Sequence, residues 1–264
     1  MSASALRTAE TVLDRKDPPS AWLTAVGGRC HAEAVTALTT RRWTQADTTW
    51  FAISGVGPEF AAPASRVFMD YQQDDDEWRR GYPADTPGLD TCWQNFSNCA
   101  ELMLMQAARL QPVPWRETLH ELCRRTSGGE PDWWLAGSTA LAVRGASIEP
   151  GDVDLVCSDD GALSLGTVFA DALVEPVLCD RSGAISDYWG RAFLTARLEW
   201  IGTPKAGVDS PSPSDFGPIA ASRLEAVTWE GFQLRVPPLD LQRAVSQRRG
   251  LTARVALIDA LLDQ

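Results

Sequence analysis

The stretch from Trp133 to Cys157, WWLAGSTALAVRGASIEPGDVDLVC, constrains the fold of this chain more than any other. An apolar run ends at Ala136, and Gly137 and Ser138 follow at once, a pair suited to stopping a strand and opening a helix. After the short loop GASIEPG, acidic and apolar residues alternate as Asp152, Val153, Asp154 and Leu155. Such alternation marks a strand with one face toward the core, because side chains on a strand point alternately to opposite faces. The stretch therefore reads as strand, short helix, strand, an α/β unit that brings Gly137 and Ser138 close to two aspartates.

Each half of that unit has a plain reading and a chemical one. Free N–H groups at a helix N-terminus attract anions, and glycine lets a phosphate approach the backbone. Equally, Ser138 is an ordinary helix cap. Asp152 and Asp154 project side by side from one face of a strand, where like charges repel unless a cation sits between them. A hard divalent cation such as Mg²⁺ prefers such carboxylate oxygens, although a strand end with two solvated acids looks the same in sequence. Taken together, the two halves point to phosphoryl or nucleotidyl transfer, with the backbone holding a polyphosphate and the carboxylates holding metal.

The segments LAGSTALAVRG and GDVDLV resemble the signature of the nucleotidyltransferase fold, the superfamily of DNA polymerase β. Within it they look most like the small bacterial members, which include antibiotic nucleotidyltransferases and the minimal nucleotidyltransferases of toxin–antitoxin systems. The resemblance covers residues 133–200 and, more loosely, the C-terminal part. It implies a short mixed sheet flanked by helices, two Mg²⁺ ions and an NTP co-substrate. It also implies a third carboxylate on a neighbouring strand, best matched by Glu199 in ARLEWIG, with Asp180 in reserve. On this resemblance Asp152, Asp154 and Glu199 are the catalytic and metal-binding residues, and Gly137, Ser138 and Arg144 bind nucleotide. A structural ion pair between Glu199 and Arg197 is the other reading of that acid. In the last helices Arg254 and Asp259 are the nearest counterparts of an Arg-x-x-Asp pattern, and the match there is loose.

The chain of 264 residues is long enough for two domains, read as residues 1–111 and 112–264. The second carries the nucleotidyltransferase-like α/β (α+β) unit with C-terminal helices, and the first is an N-terminal region of uncertain fold. Helical spacing is expected over the first sixteen residues and from Ala32 to Arg42. Strands are expected in TTWFAISGVG and RVFMDY, and an exposed loop over 74–90. Helices follow in CWQNFSNCAELMLMQAARL, WRETLHELCRRT and residues 162–173. An irregular piece then precedes one long strand, AFLTARLEWIG. A hairpin turning at Glu230-Gly231 leads to two final helices that break at Gly250.

Composition narrows the partners. The net charge of −11 disfavours nucleic acid and suits a cationic small-molecule acceptor. No run is long and apolar enough to span a bilayer and the N-terminus lacks a signal-peptide core, so the expected location is the cytoplasm. The scattered cysteines read as reduced and mostly buried thiols. Trp189 is either a packing residue or a stacking platform for a base. The expected reaction is Mg²⁺-dependent transfer of NMP from an NTP to a hydroxyl of a small molecule. The alternatives are a toxin-type enzyme acting on tRNA or protein, and an inactive nucleotide-binding relative.

Overall fold

Strand alternation and glycine punctuation resolve, in the computed structural model, into two compact units; residues 38–129 and 131–264 are described. One unit comprises residues 38–112 with 171–176, the other 113–170 with 177–264. Both mix helix and sheet, so the chain is α+β. The helix expected over the first sixteen residues lies outside the described residues.

The first unit is a four-stranded antiparallel sheet in the order β1-β2-β4-β3. Its strands are β1 (Thr39–Gln45), β2 (Thr48–Ser54), β3 (Gln72–Asp74) and β4 (Glu77–Pro83). Helices α1 (Ala61–Val67) and α2 (Leu89–Ala107) accompany them. Phe51, Phe68, Tyr71, Trp78, Tyr82 and Phe96 form a buried aromatic core, with Phe51 and Tyr82 edge-to-face at 5.0 Å between centroids.

Three expectations fail in this unit. Residues 39–42 are strand, and the rest of the helix expected from Ala32 lies outside the described residues. The β-branched Thr39 and Thr40 and the cross-strand pair Trp43–Trp50 favour the sheet there. RVFMDY is not a strand, because the alanine-rich helix α1 runs on through Arg66 and Val67 and ends in a turn. The supposed loop 74–90 contains β4, an inner strand of the sheet. Its period of two is Trp78, Arg80 and Tyr82, and the middle member hides it by being charged. Arg80 is paired at 2.5 Å with the buried Glu175.

The second unit is organised on a sheet in the order β5-β6-β9-β8-β7. Its strands are β5 (Trp133–Ala136), β6 (Val153–Cys157), β7 (Leu173–Cys179, of which residues 177–179 fall in this unit), β8 (Tyr188–Phe193) and β9 (Arg197–Ile201). The sheet is mixed: β5 and β8 run antiparallel to their neighbours β6 and β9, which are parallel to each other. Helix α3 (Trp115–Arg125) packs on β6 and β9, and α5 (Asp159–Val168) packs on β8 and β9. Trp200, fully buried on the helix side, donates its indole N–H to the Ala162 carbonyl at 3.1 Å. Helix α5 starts earlier than expected because Ser158 caps it, its Oγ accepting the Gly161 N–H at 2.9 Å.

The single long strand expected over 192–202 is two strands. Leu194 to Ala196 form a tight turn closed by Leu194 N–H to Ala196 O at 3.1 Å, and β8 reaches back into the piece read as irregular. The hairpin β10 (Glu225–Trp229) and β11 (Phe232–Val236) turns where expected, with Glu230 and Gly231 both at positive φ, 48° and 88°. Short helix α6 (Pro218–Ala221) precedes it, and α7 (Leu239–Arg248) and α8 (Thr252–Leu262) follow, broken at Gly250 with φ 69°. Among the described residues no helix is long and apolar enough to cross a membrane.

Candidate active site

The turn from β5 into helix α4 (Gly137–Ala142) falls where the sequence places it. Ala136 is extended, and Gly137 takes φ 62°, a left-handed conformation that only glycine adopts without strain. Gln242 of α7 donates its side-chain amide to the Gly137 carbonyl at 3.2 Å. Thr139 donates its hydroxyl to the Asp152 carbonyl at 2.7 Å, which ties α4 to the entry of β6. Ser138 is buried beside them.

Register then decides which side chains meet. Ala136 faces Asp154 across β5 and β6, Asp154 faces Glu199 across β6 and β9, and Glu199 faces Arg191 across β9 and β8. One row of one sheet face thus reads Ala136, Asp154, Glu199, Arg191. Since residues two apart share a face, Asp152 and Arg197 stand beside that row. The neighbouring row in the other direction is apolar: Trp134, Val156, Ile201 and Trp189. Trp189 packs there against a core that includes Phe216 and Leu241.

Asp152, Asp154 and Glu199 are all buried, and their ligand oxygens lie within 4.8 Å of one another. Among the described residues this is the group of acids or metal-binding side chains that converges in this way. Three carboxylates so close and so little hydrated repel strongly unless cations compensate. Two buried arginines supply part of that compensation. Arg197 reaches Asp152 Oδ2 at 2.6 Å and Glu199 Oε1 at 3.3 Å, and Arg191 Nε donates to the same Glu199 oxygen at 2.8 Å. The ion pair weighed for Glu199 and the acid cluster are therefore both present.

The other candidates have partners of their own. Arg144 is engaged by Glu225 at 2.5 Å and by the Pro237 carbonyl at 2.9 Å. Asp180, exposed beyond β7, accepts hydrogen bonds from Ser182 N–H and Oγ. Asp259 pairs with Arg243. Reading the sequence missed Arg191, Thr139 and Gln242. Arg191 carries a signal, since Trp189, Arg191 and Phe193 alternate with small residues, but the glycine at 190 made that stretch look irregular.

The donor set fits a hard divalent cation. It is all oxygen, and Gly137 leaves open the space beside Asp154 that a side chain would fill, because a Cβ built there would overlap Asp154 Oδ2.

No family model matches the chain, and no curated protein matches it. Among solved structures it is similar to a Thermotoga maritima protein provisionally assigned as a nucleotidyltransferase, at 18% identity and a TM-score of 0.43. That similarity covers 58% of this chain and 96% of the other.

Proposed function

We propose that the second unit is a metal-dependent nucleotidyltransferase domain that transfers NMP from an NTP to an acceptor hydroxyl, releasing pyrophosphate. The observation that carries the reading is the convergence of Asp152, Asp154 and Glu199 beside the glycine turn at Gly137. Their sequence context, LAGST followed by GDVDLV, is the one that resembles this superfamily. In this reading the three carboxylates hold the divalent cation, which supplies neutralisation of phosphate charge and a lowered pKa for the acceptor hydroxyl. Gly137 and Ser138 offer backbone N–H groups to the outer phosphates. Helix α4 is only six residues long, so those amides rather than a long helix dipole supply the attraction. The acceptor oxygen forms a bond to the α-phosphorus, the bond to the β-phosphate bridge oxygen breaks, and the hydroxyl proton passes to a carboxylate of the site.

The acceptor proposed is a cationic small molecule, consistent with the net charge of −11. The pairing of Arg191 and Arg197 with the acids favours one second reading, a domain that binds metal and nucleotide without turnover. Calorimetry with each NTP, with and without Mg²⁺, tests the shared premise on the wild type and on Asp152→Asn/Asp154→Asn. Metal-dependent binding that the double variant loses supports both readings, and absence of binding by the wild type overturns both. Transfer of label from an α-labelled NTP to an acceptor then separates them, and label only on tRNA or protein would replace the small-molecule acceptor.

A further inference from the structure

The proposed reaction leaves two buried cations without a role. Arg191 and Arg197 are each more than nine-tenths buried, and a buried guanidinium is tolerated only when paired. Arg197 is placed unusually: it spans the carboxylates of Asp152, just before β6, and Glu199 on β9. With both arginines in place, the three acids carry a net charge of only −1, from three carboxylates and two guanidiniums.

We propose that Arg197 is an internal counter-cation that a divalent ion displaces from Asp152, and that this exchange couples metal binding to nucleotide binding. The inference rests on the metal-and-nucleotide reading above. A divalent ion arriving alone meets a largely neutralised carboxylate group. To take Asp152 Oδ2 it must break the 2.6 Å pair and leave a guanidinium buried without that carboxylate. Such a step is unfavourable until another anion replaces the carboxylate. A phosphate of an incoming nucleotide is that anion, and the forked guanidinium suits two phosphate oxygens at once. The metal alone therefore binds weakly, and metal with nucleotide binds well. Linkage makes the coupling reciprocal, so the metal tightens the nucleotide by the same factor.

The test is a calorimetric titration of the full chain with Mn²⁺, alone and in the presence of saturating α,β-methylene ATP. In the wild type the analogue should tighten Mn²⁺ by about tenfold or more. Arg197→Met should bind Mn²⁺ alone about tenfold more tightly than the wild type and lose most of the enhancement by the analogue. Its melting temperature should fall without metal, because Asp152 is left buried with one cation fewer, and recover on adding Mn²⁺. Should that variant fail to fold, Arg197→Gln, neutral but still able to donate toward Asp152, provides the same comparison. If the neutral variant binds Mn²⁺ alone no more tightly than the wild type while the wild type binds Mn²⁺ with the analogue, the counter-cation is overturned and the nucleotide reading stands. If the wild type binds neither Mn²⁺ nor the analogue, the nucleotide reading falls and this inference with it.

Discussion

Gly137 and Asp154 occupy each other's space: a Cβ built on the glycine would overlap Oδ2 of the aspartate. Strand register is the cause. Asp154 sits opposite Ala136, the last residue of β5, so its carboxylate extends under the turn that follows. Glycine at 137 thus answers two demands, a left-handed φ of 62° and an open flank for a charged side chain.

Gly137→Ala should therefore fail twice. The left-handed backbone costs about 1–2 kcal/mol for an alanine. The methyl group must also push Asp154 away from Asp152 and Glu199. We expect a lower melting temperature together with loss of Mg²⁺-dependent nucleotide binding. Ser138→Ala, by contrast, keeps the backbone N–H offered to phosphate and should change binding and melting little. Calorimetry and thermal melts on the same samples separate the two, and unaltered nucleotide binding in Gly137→Ala would remove the glycine from the site.

Gly190→Ala probes the sheet beneath the site. Gly190 faces Trp200 across β8 and β9, and a Cβ there would overlap the indole ring. Trp200 is locked by burial and by its bond to the Ala162 carbonyl. Overpacking a close-packed core typically costs about 1–3 kcal/mol. Denaturant unfolding should show at least that loss, and Arg191, next in the chain and paired with Glu199, should shift with the strand.

These two glycines also mark where the sequence was legible. Gly137 was readable because its neighbours declare themselves: an apolar run before it, then Asp-Val-Asp after a short loop, leave little choice about strand and face. Gly190 misled, because it replaces a large residue on a strand and its reason for being small, the Trp200 ring, sits on another strand. The same holds for β4, where the half-buried Arg80 finds its buried partner, Glu175, far along the chain. Local alternation reveals which residues share a face. Which residue of another strand stands opposite depends on register, and that is why Arg191 and the bridging position of Arg197 went unread.

The cysteines give a chemical check on the packing. Burial pushes the Cys92, Cys99 and Cys157 thiols up to about 12 and the Cys123 thiol to about 11. The thiolate is the reactive form, so these four should resist alkylation at pH 8 in the native protein. Cys179 is exposed and should label. Peptide mapping after brief iodoacetamide treatment, with and without denaturant, reads this directly. Native labelling of Cys92 or Cys157 would mean that the core around it opens.

Acid stability should depend on Glu121. On α3 it accepts hydrogen bonds from Arg124, through Nε and Nη2, and from Arg125 Nε, all at 2.7 Å. Those bonds, Arg124's first, hold its carboxyl down from 4.5 to about 2. A carboxyl depressed in the folded state stabilises fully above its unfolded value near 4.5, and that contribution is lost as the pH falls toward 2. Arg124 is largely exposed, so solvent screening keeps the contribution to about 1 kcal/mol or less. Glu121→Gln should accordingly be slightly less stable than the wild type at pH 7 and indistinguishable from it near pH 2. Raising the salt concentration should shrink the difference at pH 7, since exposed pairs are screened. Denaturant titrations across this pH range decide the matter. A gap that persists at pH 2 would assign the role of Glu121 to packing of its side chain rather than to its charge.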